Sequence, residues 1–407
     1  MTSEYNSINM EKSQYIENNE KNTNFLGKNT KVALIHDFLT QYGGAEKVLE
    51  SLCKIFPEAP IYTLIYDKKK MHSKFGDKEI KMSFLQKFPK FLKNRKRYLL
   101  PFMPTAPETF DLRDFDLVIS SSGAWSKGII TRLNTVHISY MHSPMRFVWG
   151  YSEKYFKDIG KKIGFCKRLF LNYLRIWDYQ AAQRPDILIA NSKYTKSRIE
   201  KYYRRKSEVV YPPAISDNHS ERSEESYAES LCRPVSQDNT LRYFLVVSRL
   251  SAYKKVDVVV EAFNKMGLPL IIVGEGEQKK YLKKIASKNV KVVGWKSDEN
   301  LRKYYQHARA LIFPTIDDFG ITMVEAMSHG VPVVAVRKGG AKEIVEEGVT
   351  GEFFDAQTPE VLSDGVRRFM EKENNYDSNL IKQKAEKFAE KKFKNEILRI
   401  AKEAIDT

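Results

Sequence analysis

The sequence is poor in cysteine, because its 407 residues include only 3: Cys53, Cys166 and Cys232. They are odd in number, far apart, and in no Cys-x-x-Cys or Cys/His pairing. This pattern argues against both a disulfide scaffold and a zinc site, since both need clustered or paired cysteines. A reducing cytoplasm is therefore the expected compartment.

A long apolar segment is also lacking. No run approaches the roughly 20 residues that a membrane-spanning helix needs, and the N-terminus has no basic start followed by an apolar core. The sequence predicts a chain that neither crosses a membrane nor carries a secretion signal. Residues 1–28 are polar and without apolar periodicity, and they are predicted to form a disordered leader.

Acidic residues are scarce relative to basic ones, 51 against 68, which gives a net charge of +17. Such a charge indicates an acidic partner, and nucleic acid, anionic lipid and phosphorylated small molecules all qualify. No recognisable nucleic-acid motif accompanies the charge. The 42% hydrophobic content and the chain length favour two globular domains.

Short apolar strand patterns alternate with helical patterns in both halves, which predicts an α/β fold with two doubly wound sheets. The strand patterns of the first half are KVALIHDF, IYTLIY, DLVISSS, HISYMHS and DILIANS, and those of the second are YFLVVSR, LPLIIVGEG, VKVVGW, ALIFPT and VPVVAV. The predicted division is a domain over 29–213, a flexible linker over 214–240, a domain over 241–378 and C-terminal helices over 379–407. Ligands of such sheets bind at the carboxyl ends of the strands.

The stretch PTIDDFGITMVEAMSHGVPVVA places Asp317 and Glu325 eight positions apart, around a predicted helix from Phe319 to His329. Backbone N–H groups near Phe319, Gly320 and Ile321, at the start of that helix, suit an anionic phosphate. Helical side chains tilt toward the N-terminus, so Glu325 leans back toward Asp317. Two carboxylates with donors between them suit a ligand rich in hydroxyls, although an isolated acidic pair is usually solvated.

Other motifs carry further candidates, each with an ordinary explanation when taken alone. Arg249 and Lys254 in VVSRLSAYKKVD could be surface cations, Gly43 and Gly44 in GGAEKVLE could form a turn, and His142 in MHSPMRFVW could be a core histidine. Gly294 and Trp295 close the strand pattern VKVVGW. The stretch DFD at Asp114 to Asp116 precedes a strand rather than following one, which favours a solvated strand entry over a metal site.

Together, and in this order, these motifs resemble the family 4 glycosyltransferases, and most of all the bacterial O-antigen mannosyltransferase-like branch. The resemblance runs from about residue 31 to 355. It implies a GT-B fold of two facing Rossmann-like domains, with the nucleotide-sugar donor on the C-terminal domain, the acceptor on the N-terminal one and a last helix crossing back. Asp317 stands where the family usually has Glu, and Lys255 and Asp318 replace glycines of the commoner pattern.

The resemblance implies a role for each candidate. Arg249 and Lys254 would neutralise the leaving diphosphate. Glu325 would bind the ribose, Asp317 the hexose hydroxyls, and His142 the transferred sugar. The predicted catalytic residues are His142, Arg249, Lys254 and Asp317, and the predicted donor-binding residues are Gly43, Gly44, Arg249, Lys254, Gly294, Trp295, Asp317, Phe319, Gly320, Ile321 and Glu325. Retention of anomeric configuration, no metal and no other cofactor are also implied.

Residues 81–104 interleave cations with aromatic rings and contain no acid. Such a segment can lie on an anionic bilayer, with the rings Phe84, Phe88, Phe91 and Tyr98 buried in it. The alternative is a basic face over core aromatics. The residues predicted to contact the acceptor or the membrane are Lys87, Lys90, Lys93, Arg95, Arg97 and Arg146.

The sequence thus predicts a retaining, metal-independent hexosyltransferase on the inner face of the plasma membrane. The predicted donor is GDP-mannose and the predicted acceptor a lipid-linked or surface-polysaccharide glycan. The alternatives are a UDP-sugar donor or an epimerase on the same fold, a non-catalytic partner subunit, and a nucleic-acid-binding protein. The intact set of Arg249, Lys254, His142 and Glu325 argues against the non-catalytic subunit.

Overall fold

The computed structural model describes residues 30–150, 164–215 and 242–406. The predicted leader and most of the predicted linker lie outside these residues. The chain divides into two compact units, one of residues 1–213 with 391–407 and the other of residues 214–390.

The first unit is built on a seven-stranded parallel sheet with the order β3-β2-β1-β4-β5-β6-β7. Its β-branched central strands are buried, as parallel strands covered on both faces must be. The strands are β1 (Val32–Leu39), β2 (Ile61–Tyr66), β3 (Ile80–Met82), β4 (Leu117–Ser122), β5 (Val136–Met141), β6 (Ile187–Ala190) and β7 (Glu208–Val209).

Helices cover this sheet and bury their apolar sides in its core. The first of them buries Val48, Leu49 and Leu52, which recur at helical spacing. The helices are α1 (Gly44–Ile55), α2 (Lys68–Phe75), α3 (Lys90–Asn94), α4 (Arg146–Trp149), α5 (Phe165–Ala181) and α6 (Lys193–Tyr203). Single 3-10 turns occur at Phe84–Lys87, Lys96–Leu99, Pro107–Thr109 and Ser126–Gly128.

The second unit is built on a six-stranded parallel sheet with the order β10-β9-β8-β11-β12-β13. The strands are β8 (Tyr243–Val247), β9 (Leu270–Val273), β10 (Val290–Gly294), β11 (Ala308–Phe313), β12 (Val333–Val336) and β13 (Gly351–Phe354). The helices are α7 (Val256–Met266), α8 (Lys279–Ile285), α9 (Asp298–Gln306), α10 (Ile321–Ser328), α11 (Ala341–Ile344), α12 (Pro359–Glu371) and α13 (Ser378–Ala385). Further 3-10 turns occur at Ala252–Lys254, Glu373–Asn375 and Glu386–Phe388.

In each sheet, the chain first adds strands on one side of the starting strand and then crosses over to add strands on its other side. In the first unit β1 has β2 and β4 as neighbours, and in the second β8 has β9 and β11. The loops that follow two such strands diverge to opposite sides and leave a crevice at their carboxyl ends. This topology places the loops after β8 and β11 side by side.

The C-terminus divides between the two units. Helix α13 packs against α10 in the second unit, whereas α14 (Glu390–Ile405) contributes Phe393, Ile397 and Ala401 to a core cluster of the first unit. The return to the first unit therefore begins at Lys391 and not at Asn379, because α13 finds its apolar partner on α10.

The predicted α/β architecture is confirmed, with two parallel-sheet Rossmann-like domains. The short strands β3, β7 and β13 were not predicted. The helix predicted over Phe319–His329 begins two residues later, at Ile321, because Gly320 holds a left-handed φ of 108° that no helix continues through. No helix among the described residues is long and apolar enough to cross a bilayer.

Candidate active site

In the second unit, the loops after β8 and β11 bring two predicted catalytic side chains into contact. Lys254 Nζ donates to Asp317 Oδ2, and the two side chains are only 15% and 13% exposed. Thr315 Oγ1 anchors the first loop by donating to the carbonyl of Lys254 at 2.9 Å. The cation assigned to the diphosphate and the carboxylate assigned to the hexose therefore form one ion pair.

The residue after Lys254 is Lys255, which stands where the commoner family pattern has a glycine. Lys255 carries a φ of 55° and precedes the first residue of α7. A left-handed conformation costs a residue with a Cβ of order 1–3 kcal/mol, and glycine adopts it readily. Lys255 thus keeps the turn that a glycine would make, at some cost in stability.

Helix α10 starts in the loop after β11. Gly320 precedes it without a side-chain cap, and a Cβ added there would lie 2.4 Å from Met323 Cε. The Phe319 side chain is 3% exposed and packs edge-on against Phe388 at 5.3 Å between ring centroids. Phe319 can therefore serve a donor only through its backbone.

Glu325, on the second turn of α10, is half-buried, and its Oε2 accepts a hydrogen bond from Tyr305 Oη at 3.0 Å. Burial, reinforced by the Glu325 charge, raises the pKa of Tyr305 well above its usual value, so the phenol stays protonated and donates. The Tyr305 ring stacks on His329 at 5.5 Å. No sequence motif pointed to Tyr305, because it lies on a different helix, α9.

The loops after β8, β9 and β10 are joined through their backbones. Gly274 N donates to the carbonyl of Gly294 at 2.9 Å, and Leu250 N donates to the carbonyl of Glu275 at 2.8 Å. Gly294 holds a φ of 86°, and the Trp295 ring that follows is 69% exposed. Arg249, which precedes Leu250, is also exposed. The predicted nucleotide-binding residues thus lie on adjacent loops at one edge of the sheet.

A glycine pair that the sequence analysis missed, Gly339 and Gly340, lies against the Asp317 loop. Gly340 N donates to the carbonyl of Asp317 at 2.9 Å. A Cβ at Gly340 would lie 2.4 Å from the Phe319 carbonyl oxygen, and one at Gly339 would lie 2.3 Å from that of Asp317. Only glycine fits this approach, and the available signal was the Gly-Gly pair two residues after the strand pattern VPVVAV.

In the first unit, the glycine pair Gly43 and Gly44 begins α1. Gly43 is extended, offers no side-chain cap, and its carbonyl accepts from Lys47 N at 3.0 Å. The loop that carries the pair follows β1, at the carboxyl edge of the sheet. The structure therefore places both residues where a strand–loop–helix anion site would lie.

His142 follows β5 at the same edge. Its Nε2 lies 2.8 Å from Ser121 Oγ, and its carbonyl accepts from Asn191 Nδ2 at 3.0 Å. Ser121 Oγ is also 3.1 Å from His36 Nδ1, and His36 Nε2 is 3.5 Å from Glu46 Oε1. His36, Glu46 and Ser121 were not predicted, since they sit in different motifs that only the sheet brings together.

The basic–aromatic segment divides into an inner and an outer set. Phe84 and Phe88 are half-buried and pack against the core, which agrees with the alternative of a basic face over core aromatics at these two positions. Phe91 is 67% exposed and Tyr98 50%. The cations exposed with them are Lys87, Lys90, Arg95 and Arg97.

Two cations predicted to contact the acceptor or the membrane are held inward. Lys93 Nζ donates to the Gln86 carbonyl at 2.9 Å, and Arg146 Nε donates to Ser143 Oγ at 3.3 Å. Both side chains are half-buried. These two side chains stabilise their own loops and are not part of the outer set.

The DFD stretch serves the strand entry, because Asp116 Oδ2 accepts from Lys31 N at 2.8 Å. Within the described ranges, no three His, Cys, Asp or Glu side chains are grouped to hold a metal ion. Metal independence of the reaction stays a prediction.

Comparison with known families decides the class. The model described as Glycosyltransferase Family 4 matches residues 42–215, and the model described as Glycosyl transferases group 1 matches residues 232–388. Between them they cover both units. The chain is a glycosyltransferase with a family 4 domain followed by a group 1 domain. The predicted enzyme class, a hexosyltransferase, is thereby confirmed.

Curated relatives of this glycosyltransferase are distant. An uncharacterized glycosyltransferase of Methanocaldococcus jannaschii is 23% identical over 354 residues, which is 84% of this chain and 89% of the relative. The O-antigen chain mannosyltransferase C of Escherichia coli is 25% identical over 237 residues, which is 55% of this chain and 61% of the relative. The chain thus spans less than two thirds of that mannosyltransferase.

Solved structures confirm the GT-B fold. Anabaena HepE in complex with UDP has a TM-score of 0.64 at 17% identity, covering 91% of this chain and 99% of that one. Sucrose-phosphate synthase from Thermosynechococcus elongatus has a TM-score of 0.66 at 15% identity, covering 91% and 98%.

Proposed function

We propose that this glycosyltransferase moves mannose from GDP-mannose, with retention and without a metal, onto a lipid-linked or surface-polysaccharide acceptor. The observation that carries the proposal is the Lys254–Asp317 ion pair beside the start of α10. Its cation can neutralise the charge of a leaving diphosphate, and its carboxylate can accept hydrogen bonds from sugar hydroxyls. Mannose is favoured by relatives named as GDP-mannose-dependent or O-antigen mannosyltransferases.

The proposed reaction relies on charge stabilisation by the protein. Negative charge develops on the diphosphate as the bond to the sugar breaks, and fixed cations in a shielded site stabilise that charge more than water does. Within the second unit, Arg249 and Lys254 supply the cations, while Ile321 N supplies a backbone donor. The shielding of Lys254, 15% exposed, strengthens its part in this effect.

Glu325 and Asp317 are assigned to the donor's hydroxyls, and His142 to the transferred sugar. Tyr305 donates to Glu325 Oε2 and holds the carboxylate in place, and we assign this carboxylate to a ribose hydroxyl. We assign the exposed Trp295 ring and Gly294 to the base. A uracil in place of guanine would change the donor and leave this scheme otherwise intact.

Location at a membrane is part of the proposal. The exposed set of Lys87, Lys90, Phe91, Arg95, Arg97 and Tyr98 lies on the unit assigned to the acceptor. Basic residues close to an anionic bilayer each contribute about 1 kcal/mol, and exposed rings add apolar contact. A peripheral enzyme on the inner face of the plasma membrane would meet lipid-linked glycans there.

Transfer from labelled nucleotide-sugars tests the proposal. The purified protein is incubated in EDTA with GDP-mannose, UDP-glucose or UDP-N-acetylglucosamine and a bacterial lipid extract, and label in the lipid phase and free sugar are counted. Turnover of GDP-mannose above the other donors is expected. Turnover of a UDP-sugar alone would overturn the donor, and turnover only after a divalent ion is added would overturn metal independence.

A further inference from the structure

A chain of buried polar groups leads from α1 to His142, and the functional roles given above do not use it. We propose that Glu46, His36 and Ser121 form a hydrogen-bonded relay that fixes the tautomer of the His142 imidazole. The tautomer determines whether Nδ1 of His142 offers a proton or a lone pair to the transferred sugar. The catalytic consequence rests on the proposed function of His142, whereas the tautomer itself does not.

The relay consists of three consecutive contacts. Glu46 Oε1 lies 3.5 Å from His36 Nε2, His36 Nδ1 lies 3.1 Å from Ser121 Oγ, and Ser121 Oγ lies 2.8 Å from His142 Nε2. Glu46 is 8% exposed, His36 2% and Ser121 0%. Hydrogen bonds shielded from water in this way are stronger and less easily exchanged for solvent than surface ones.

The sheet itself holds the relay in place. His36 on β1 and Ser121 on β4 are direct partners in the register of the two strands, so their side chains point to the same face. His142 follows β5, the next strand, and its backbone N donates to the Ser122 carbonyl at 2.9 Å. Glu46 lies on the first turn of α1, directly after the Gly43–Gly44 loop.

Proton counting shows why such a relay selects one tautomer. A serine hydroxyl donates a single proton, so of the two imidazole nitrogens that face Ser121, one accepts and the other donates. If His36 is neutral with its proton on Nε2, Ser121 donates to His36, and His142 must keep its own proton on Nε2. If His36 is protonated at both nitrogens, Ser121 donates to His142 instead, and the His142 proton lies on Nδ1.

Glu46 determines where His36, the next residue of the relay, carries its proton. Burial acts to raise its pKa, but the hydrogen bond and charge of His36, a backbone hydrogen bond and the charge of His142 together lower the pKa of Glu46 overall. A carboxylate only accepts hydrogen bonds, so it holds a proton on His36 Nε2. Glu46 is therefore a positioning residue that acts on His142 through two others, and it need not touch the sugar.

Nuclear magnetic resonance measures the proposed property directly. The protein contains 7 histidines, few enough for ring nitrogens to be resolved after ¹⁵N-histidine labelling, and the His142→Gln variant assigns the signals of His142. We expect the ring nitrogens of His142 to show one dominant tautomer in the wild-type protein. Ser121→Ala, which breaks the relay, should give a mixture of both.

Glu46→Gln tests the start of the relay, because a neutral amide can turn to offer either a donor or an acceptor to His36. A shift of His142 toward mixed tautomers is expected. Ser139→Ala is the matched control, since Ser139 is buried on β5 and its hydroxyl contacts the Met141 sulfur at 3.4 Å. If Ser121→Ala fails to fold, Ser121→Cys keeps the volume and makes only weak hydrogen bonds.

Each outcome has one meaning. Unchanged His142 nitrogens in the Ser121 variant would overturn the relay, and a change there with none in Glu46→Gln would overturn the role of Glu46. In the transfer assay, both variants should lower kcat by tenfold or more with KM for the donor within twofold. A wild-type enzyme without transferase activity would contradict the proposed function while leaving the tautomer result to stand.

Discussion

At the residue scale, the ion pair with Lys254 gives a physical role to Asp317, which is one methylene shorter than the glutamate usual in the family. Lys254 and Asp317 come from loops that follow neighbouring strands, and their charges compensate each other in a site where an unpaired charge would be expensive. In the proposed function, an incoming diphosphate would pair with Lys254, and Asp317 would bind sugar hydroxyls.

Replacing Lys254 with alanine tests that role. We expect Lys254→Ala to lower the rate constant of donor hydrolysis by about 10²–10³, the usual loss when one charge-stabilising donor is removed. Lys265→Ala is the control, because Lys265 is an exposed lysine of the same unit whose Nζ lies 2.8 Å from Glu360 Oε1. A Lys254→Ala variant that is folded and hydrolyses the donor at the wild-type rate would contradict the role.

Sequence motifs found individual residues of this site better than the contacts between them. Lys254, Asp317 and Glu325 each lie in a motif of fixed spacing and were predicted. Tyr305 and the relay residue Ser121 were missed, because their partners are distant in the chain and meet them only through the fold.

At the element scale, sheet topology explains why so many candidates lie at one edge. The order β10-β9-β8-β11-β12-β13 puts the loops that carry Arg249, Lys254 and Asp317 next to each other. Apolar strand patterns predicted the central strands of both sheets. The strands β3 and β7 were missed, because they are short and partly exposed and carry little apolar signal.

The segment around α3 supports a membrane prediction. We expect Lys90→Glu combined with Arg97→Glu to reduce co-sedimentation with phosphatidylglycerol vesicles by at least tenfold, because each reversal turns an attraction of about 1 kcal/mol into a repulsion. Binding to phosphatidylcholine vesicles should be weak for both proteins.

The matched control reverses two exposed lysines of the second unit, Lys291→Glu with Lys303→Glu, which changes the net charge equally. It should sediment as the wild-type protein does. An equal loss in both double variants would show that net charge, and not this segment, brings the protein to the vesicle.

At the scale of the whole molecule, composition and motif order were enough to predict two α/β domains and the enzyme class. The exact crossing of the C-terminus was not predictable, because the apolar faces of α13 and α14 look alike in sequence. Only their packing partners, α10 for the first and the core with Phe393 for the second, separate them.

The central claim is a nucleotide-sugar site in the second unit that needs no metal, and a thermal-shift titration in EDTA tests it most directly. Wild-type protein and Glu325→Gln are titrated with GDP, UDP, ADP and their sugar conjugates. Ligands that bind only the folded state raise the melting temperature, and the stabilisation grows with the logarithm of one plus the ratio of free ligand concentration to Kd.

We expect GDP and GDP-mannose to raise the melting temperature of the wild-type protein more than UDP or ADP, and to raise that of Glu325→Gln less. Selectivity for UDP would keep the class and overturn the donor. A folded wild-type protein whose melting temperature responds to no nucleotide would contradict the account.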